Sequence, residues 1–307
     1  MSFYKYMSAE TGEKVIKNST LRWSSPSTFN DIDECQLSPF THSDFILAVK
    51  TVNEILLNCA NGHLIYNYHN FAEVNKQIIA LIHISKNKKN SEENISNQTM
   101  TELITNTFNN TEDYFRDYIN KSILNCSRVL CVTSDYDNTL MWAHYADQHR
   151  GCVFEFENLY ETTPGKLHQG NVQYIKELKS STSAIELLLY GETETINKAL
   201  IKDVFFSKKL EWSYEKEYRL LFHENLGVIT ARVNLQTHEK TFSTTGQSGQ
   251  LYTDVPFIPE SILSITFGMK TNPDMIDKIT SIARDKNQKC KFFQMKRSNN
   301  SIIRQSI

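Results

Sequence analysis

Apolar residues recur in short runs and at helical spacing along most of the chain, which predicts a mixture of strands and helices. A β-branched run at Val129–Val132 indicates a buried strand, and the pattern from Leu140 to Ala146 favours a helix. Gly151 follows at a position where a left-handed helix cap is expected, and Val153–Phe156 then resumes a strand. We take this strand–helix–strand unit as the centre of the fold.

Shorter patterns on either side predict the other elements of the sheet. Strands are expected at Phe3–Tyr6, Thr20–Ser24, Val172–Tyr174, Val228–Val233 and from Glu217, where charged and apolar residues alternate. Helices are expected at Glu10–Asn18, Ser183–Tyr190 and Glu192–Phe206, the last two separated by Gly191. The chain closes with a strand at Ser261–Gly268, a helix at Pro273–Arg284 and a strand at Cys290–Met295, which together predict a β-α-β unit.

Between residues 43 and 125 the apolar spacing changes to i, i+3, i+4 and i+7, which predicts a helical insertion. Helices are expected at Phe45–Cys59, ended by Gly62, at Phe71–Ile82 and at Tyr114–Ile123. The polar stretch Ser85–Asn110, with its lysine cluster, is interpreted as a solvated loop. The predicted architecture is a single α+β domain over residues 1–307: a mixed β-sheet core, the helical insertion 43–125 and a C-terminal β-α-β unit.

Composition narrows the class of protein more than it indicates a reaction. With a formal net charge of -2 over 307 residues, the chain is not a globally basic nucleic-acid binder. It has no apolar run of about 18 residues and no secretory signal pattern at its start, so we expect a cytoplasmic protein with no membrane contact. Its six cysteines are scattered, which indicates reduced thiols and predicts neither disulfides nor a metal site.

Three blocks of the sequence combine aromatic and polar residues, and they resemble a known family. The blocks are Leu21–Asp31, Leu140–Ala146 with Gly151, and Trp212–Arg219. Their order and spacing are similar to those of the bacterial domain of unknown function 2971 family, over the chain from Tyr4 to about Gly268. One departure is Ile32, where the family usually carries a proline after the Asn-Asp pair. The resemblance implies no established reaction.

The first functional hypothesis is a nucleotide-handling enzyme of ADP-ribosyltransferase type that uses NAD as its substrate. Such a site needs a cation from an early strand, an aromatic ring for the nicotinamide and a late-strand glutamate that stabilises positive charge at the anomeric carbon. Lys5 or Arg22 could supply the cation. The ring could come from Tyr6, Trp142 or Tyr145, and the carboxylate from Glu217 or Glu215.

Other polar residues of the three blocks complete the predicted site. Ser24, Asn30 and Asp31 lie in or beside a turn that is either a ligand-facing loop or an ordinary turn. His144 is a candidate catalytic residue, although a histidine that donates to a backbone carbonyl is an equally simple interpretation. Arg219 is a candidate binding residue, with the alternative that it forms an ion pair with Glu217 on the same strand face.

Two further classes of function stay open from the sequence. Metal-assisted hydrolysis, as in a nuclease or phosphodiesterase, could use His144, Asp147, His149 and Glu155, but the two histidines lack the i, i+4 spacing of zinc helices. A non-enzymatic module that binds a ligand or partner could use the aromatic residues alone. We expect no metal, a small nucleotide as ligand, and a toxin or defence role. No glycine-rich dinucleotide motif, phosphate loop or nucleophile elbow occurs.

Overall fold

A computed structural model of the protein describes residues 2–31, 33–35, 40–63, 66–87, 123–157, 159, 167–177, 180–224, 229–233, 240–244, 250–299 and 301–307. The chain divides into two compact units. The first comprises Met1–Glu34, Ile123–Lys176 and Lys208–Ile307, and the second Cys35–Ser122 and Glu177–Ser207. The predicted insertion 43–125 falls within the second unit except for its last three residues, and that unit also takes in a later segment.

Most elements lie where the pattern predicts them, whereas the strands at His168–Asn171, Ser207–Lys209, Lys240–Thr244, Tyr252–Pro256 and Ser301–Ser306 were not predicted. In chain order the strands are β1 Phe3–Met7, β2 Thr20–Ser24, β3 Ser127–Thr133, β4 Cys152–Phe156, β5 His168–Asn171, β6 Gln173–Ile175, β7 Ser207–Lys209, β8 Glu217–His223, β9 Ile229–Val233, β10 Lys240–Thr244, β11 Tyr252–Pro256, β12 Ile262–Phe267, β13 Lys291–Ser298 and β14 Ser301–Ser306. The helices are α1 Ala9–Asn18, α2 His42–Ala60, α3 Glu73–Asn87, α4 Thr139–Tyr145, α5 Ala184–Tyr190, α6 Glu194–Phe205 and α7 Pro273–Lys286.

The first unit is built on one mixed sheet. Its strands follow the order β11-β2-β3-β1-β4-β12-β13-β14, and β8 pairs with both β3 and β5. Pairing is antiparallel except between β12 and β13, which are parallel and are joined by α7. The predicted C-terminal β-α-β unit is therefore confirmed, and so is the α+β fold class.

Strand β3 lies at the branch point of this sheet. It pairs with β8 along its whole length, from Ser127↔His223 to Thr133↔Glu217. It meets β2 at the single pair Ser24↔Val129 and β1 at the single pair Tyr4↔Thr133. Because six of its seven residues are buried, the apolar run that predicted this strand reflects its central position.

Gly151 does not cap a helix in the left-handed conformation as predicted. Helix α4 ends at Tyr145, and the residues with positive φ are Asp147, Gln148 and His149. A glycine is needed at position 151 for a different reason: a Cβ there would collide with the backbone carbonyl of Met7. The close approach of two backbone segments, not a turn, therefore explains this residue.

The second unit consists of helices in its described part. Helix α2 packs against α3 and α5, and its buried residues include Phe45, Val52 and Leu56. The buried Asn75 side chain donates to the carbonyls of Leu188 and Leu189, at 2.7 and 2.9 Å. Gly62 and Gly191, which follow α2 and α5, both have positive φ, a backbone conformation that favours glycine.

Several predicted features lie outside the described residues. They are the lysine-rich stretch beyond residue 87, the helix predicted from Tyr114, the loop at Ile32 and the turn at Gly246–Gly249. Within the described ranges, no helix combines the length and apolar character needed to cross a membrane.

Candidate functional site

A cavity of about 180 Å³ opens in the first unit beside the single pair that joins β1 to β3. Each of the three sequence blocks contributes to its wall. The lining residues are Tyr4, Lys5, Tyr6, Phe29, Asn30, Glu34, Cys131, Val132, Thr133, Met141, Tyr145, Lys208, Glu215 and Glu217. The blocks, although more than a hundred residues apart at their extremes, therefore meet at one site.

Strands β1 and β3 form one wall of the cavity with the residues that flank their single pair. The Lys5 ammonium bridges them by donating to the backbone carbonyl of Cys131 at 2.7 Å. The Tyr6 hydroxyl donates to the carbonyl of Asp135, just beyond β3, at 3.0 Å. Side chains of β1 thus form hydrogen bonds to the backbone of β3 and of the segment after it, and these side chains line the cavity.

Two carboxylates line the cavity at and just before the start of β8, the strand that pairs with β3. Glu215 ends a 3₁₀ turn at Leu210–Glu215, Lys216 adopts the left-handed conformation with φ 45°, and Glu217 begins the strand. Both glutamates are buried and both line the cavity. The turn and the left-handed residue are therefore the local features that place the two carboxylates side by side.

These carboxylates belong to a buried charge cluster that also contains Glu34, Lys208 and Arg219. Arg219, which is completely buried, donates from Nε to Glu217 Oε1 at 2.8 Å and from Nη2 to Oε2 at 2.9 Å. Its Nη2 also bonds Glu34. The Lys208 ammonium lies 2.7 Å from Glu215, 3.2 Å from Glu34 and 3.7 Å from Glu217. All three carboxylates are thus paired with cations, as buried charges require.

The cluster contains three carboxylates and only two cations. As a result, the pKa values of Glu217 and Glu34 shift in opposite directions. Burial acts to raise the pKa of Glu217, but the Arg219 guanidinium and the Lys208 ammonium outweigh it and lower that pKa to about 2. Burial raises the pKa of Glu34 above its usual range, and the neighbouring Glu217 charge adds to the effect. For Lys208, burial opposes the charged form, yet the surrounding carboxylates raise its pKa. Glu34 is therefore the member on which a proton is held most readily.

Helix α4 brings Tyr145 against Glu215. Asn138 caps the helix by accepting from the backbone amides of Leu140 and Met141, and its side chain donates to the Tyr214 carbonyl at 2.7 Å. The Tyr145 hydroxyl then donates to Glu215 Oε1 at 2.6 Å. Burial and this bond raise the pKa of Tyr145, so the phenol stays a hydrogen donor.

Trp142 supports α4 from within and does not face the cavity. It is 1% exposed, its indole nitrogen donates to the Tyr136 carbonyl at 2.9 Å, and its ring packs edge-on against Tyr6. The prediction that Trp142 could stack on a nicotinamide is therefore wrong, since its faces are covered by the protein. Of the three candidate rings, Tyr6 and Tyr145 line the cavity.

Arg22 is likewise directed elsewhere. Its guanidinium binds Asp254 on the neighbouring β11 at 2.9 and 3.1 Å and lies over the Tyr252 ring at 3.7 Å. Lys5, the alternative cation, lines the cavity. Arg22 therefore belongs to the exposed surface of the sheet, because the register of β2 against β11 sets it beside Asp254.

Four other predicted residues lie outside the lining. Ser24 pairs with Tyr252 and Val129 in the sheet, and Asp31 accepts from the Asp33 amide in an ordinary turn. His144 is exposed and faces the rings of Tyr145 and Tyr214. Arg219 stands behind the wall, and its ion pair with Glu217 confirms the alternative interpretation of these two residues.

The structure lends no support to a metal centre or a thiol nucleophile at this site. Among the residues described, no group of three or more His, Cys, Asp or Glu side chains could hold a metal ion. Cys131 lines the cavity, but burial and the nearby Glu217 raise the pKa of its thiol well above the usual value. A thiol in that state is a poor nucleophile.

Sequence reasoning missed Glu34 and Lys208. Glu34 follows the polar turn after β2, and Lys208 lies in β7, seven residues before Glu215. Neither carries a local signal, since each resembles an ordinary surface charge in the sequence. Only their burial, at 4% exposure each, marks them as members of the site.

The fold and the site define an α+β protein whose central sheet branches beside a cavity walled by buried charges. Residues 141–220 match the model of a family described as Protein of unknown function (DUF2971). The predicted resemblance is confirmed over these residues, which contain nearly all of the second block and the whole of the third. The first block, Leu21–Asp31, lies outside the match. Comparison with curated proteins and with solved structures finds no match.

Proposed function

We propose that the cavity is the active site of a nucleotide-handling enzyme of ADP-ribosyltransferase type, with NAD as its substrate, in a bacterial toxin or defence role. The observation that carries the proposal is that a cation from an early strand, two aromatic rings and two late carboxylates line one cavity. These residues are Lys5, Tyr6, Tyr145, Glu215 and Glu217.

Each group has a physical role in such a reaction. The Lys5 ammonium would attract the phosphates of the dinucleotide, and a tyrosine ring would pack against the nicotinamide. A carboxylate at the start of β8 would stabilise the positive charge that develops at the anomeric carbon as the nicotinamide leaves. Because Glu217 keeps a low pKa, its carboxylate is ionised throughout the physiological pH range.

The size of the cavity limits how NAD would bind. Cavities that enclose a drug-sized ligand measure roughly 300–1,000 Å³, whereas this one measures about 180 Å³. It would therefore hold the nicotinamide and its ribose, and the remainder of the dinucleotide would lie at the mouth, where Asn30 is exposed.

The proposal is tested by measuring NAD binding and, by chromatography, the nicotinamide released from NAD. The wild type is compared with the variants Lys5→Gln and Arg22→Gln. Lys5→Gln removes the cation that β1 supplies to the cavity and is expected to weaken NAD binding about tenfold, which corresponds to about 1.4 kcal/mol. Arg22→Gln is the matched control, because its guanidinium lies against Asp254. It should change NAD binding less than about twofold.

Two results would contradict the proposal. One is the absence of both NAD binding and nicotinamide release in the wild type. The other is an equal loss in Arg22→Gln and Lys5→Gln, which would move the binding site away from the cavity.

A second candidate, a non-enzymatic binding module, is favoured by one specific observation. Both oxygens of Glu217 are already held by Arg219, and such ion pairs also occur where they serve only structure. This candidate predicts that ADP-ribose raises the melting temperature while NAD is not consumed. A ligand at 100 times its dissociation constant adds about 2.7 kcal/mol of stability, which a thermal-shift measurement detects.

A further inference from the structure

Of the three carboxylates that line the cavity, Glu215 and Glu217 lie side by side before and at the start of β8, and they differ in how firmly their oxygens are held. Glu217 receives two bonds from a guanidinium that is completely buried. A ligand that displaced Arg219 would leave a buried cation without its partner, which is strongly unfavourable. Glu217 is therefore unsuited to exchange its bonds for those of a ligand.

Glu215 has one firm bond and one exchangeable bond. Its Oε2 accepts from Lys208, which is 4% exposed, at 2.7 Å. Its Oε1 accepts from the Tyr145 hydroxyl at 2.6 Å. Tyr145 is only half-buried, is the last residue of α4 and itself lines the cavity, so a rotation of its side chain would release Oε1 to the cavity.

The exchange of one hydroxyl donor for another on Oε1 conserves the number of hydrogen bonds. A buried carboxylate oxygen left without a donor is costly, and the Tyr145 phenol prevents that cost while the cavity holds no ligand. The second polar contact of the phenol is with Asn30, which is exposed and can bond to water instead. Displacement of Tyr145 by a ligand hydroxyl therefore loses little.

We propose that the Tyr145 hydroxyl occupies the place of a ligand hydroxyl on Glu215, so that the cavity selects a sugar that carries a hydroxyl donor and an anionic group. The hydroxyl binds Glu215 Oε1 and the anionic group binds Lys5, which lines the same cavity. A ligand with acceptors alone would meet repulsion at Glu215. The inference rests on the proposed function for the location of the ligand, and it names the sugar phosphate as the part that is recognised.

Calorimetric titration with two simple probes tests this selection. Ribose 5-phosphate carries ring hydroxyls, and tetrahydrofurfuryl phosphate keeps the ring and the phosphate but has no ring hydroxyl. We expect the wild type, in which the phenol must be displaced, to bind the first a few-fold more tightly, and Tyr145→Phe to prefer it about tenfold, as one charge-assisted hydrogen bond would provide. Tyr145→Phe should bind ribose 5-phosphate several times more tightly than the wild type, with no change for the other probe.

Tyr174→Phe is the matched control. It removes a phenol that accepts from the Glu217 backbone amide at 2.8 Å and does not line the cavity. It should leave both affinities as they are in the wild type. Glu215→Ala supplies a second test that does not depend on Tyr145, and it should abolish the preference for ribose 5-phosphate.

Equal affinity of the wild type for the two probes would overturn the inference, and so would weaker binding of ribose 5-phosphate by Tyr145→Phe. The outcome is separate from that of the proposed function. Preference for ribose 5-phosphate without nicotinamide release would contradict the enzyme proposal and support this inference. Nicotinamide release without that preference would support the enzyme proposal and contradict this inference.

Discussion

Two arginine–carboxylate pairs in the first unit have nearly the same geometry in opposite surroundings. Arg22 binds Asp254 through Nε and Nη2 at 2.9 and 3.1 Å, and Arg219 binds Glu217 through the same atoms at 2.8 and 2.9 Å. The side chains of the first pair are 56% and 42% exposed, and those of the second 0% and 7%. The comparison teaches that exposure, not geometry, decides what such a pair does.

The physical reason is the cost of removing charge from water. At the surface each partner is solvated with or without the other, so the pair contributes about 0–1 kcal/mol. In the interior each partner depends on the other, and loss of one leaves a buried charge that costs about 3–5 kcal/mol. The buried pair therefore contributes to the stability of the cavity wall, whereas the exposed pair contributes little.

The largest expected effect is that of Glu217→Gln. Glutamine preserves the shape of the side chain but leaves Arg219 with Glu34 as its remaining anionic partner, so the free energy of unfolding at pH 7 should fall by about 3–5 kcal/mol. Urea denaturation measures this loss. The matched surface change, Asp254→Asn, should lower stability by less than about 1 kcal/mol. Similar losses in the two variants would break the comparison.

The pH dependence of the free energy of unfolding should report on the same ion pair, because acid protonates Glu217. The folded pKa of Glu217 is about 2, below the value of 4.5 for an unperturbed glutamate, so its contribution is complete above about pH 4.5. It is lost as the pH falls from 4.5 towards 2, and it amounts to at most about 3 kcal/mol at 1.36 kcal/mol per pKa unit. Urea midpoints measured across this pH range would show how steeply the stability of the wild type falls with pH. If it fell no more steeply than that of Glu217→Gln, the low pKa assigned to Glu217 would be contradicted.

Glu34→Gln is expected to have the smallest effect of the buried changes. Because the pKa of Glu34 is raised in the folded state, its ionised form opposes folding, and its contribution to stability declines as the pH rises above about 4.5. Neutral glutamine removes one of three carboxylates that face two cations, so stability at pH 7 should change by less than about 1 kcal/mol. Thermal melts measure this change. A loss as large as that of Glu217→Gln would contradict the expectation and show that the cluster needs all three charges.

The positions of most strands and helices could be predicted because local patterns determine them. The apolar run at β3 reflects burial of both faces of one strand, and the helical spacing in α2 reflects burial of one face of one helix. The cap predicted at Gly151 failed because the reason for that glycine lies in a separate segment, at the carbonyl of Met7.

The candidate site could be predicted only in part. All three blocks reach the cavity, through residues such as Asn30, Tyr145 and Glu215. Arg22 and Trp142 were equally good candidates by residue type, yet one lies at the surface and the other is enclosed in the core. Local sequence does not report which of two similar side chains faces a shared space.

By itself, the sequence determined the α+β class, most of the elements in their order and the three blocks that supply the cavity. Tertiary structure alone decided that Glu34 meets Arg219, a residue 185 positions away, and that Lys208 stands among three carboxylates. The reason is that the protonation and pairing of a charged side chain depend on how far it is removed from water. The burial of such a side chain is set by the packing of strands that are remote in the chain, so no local sequence pattern predicts it.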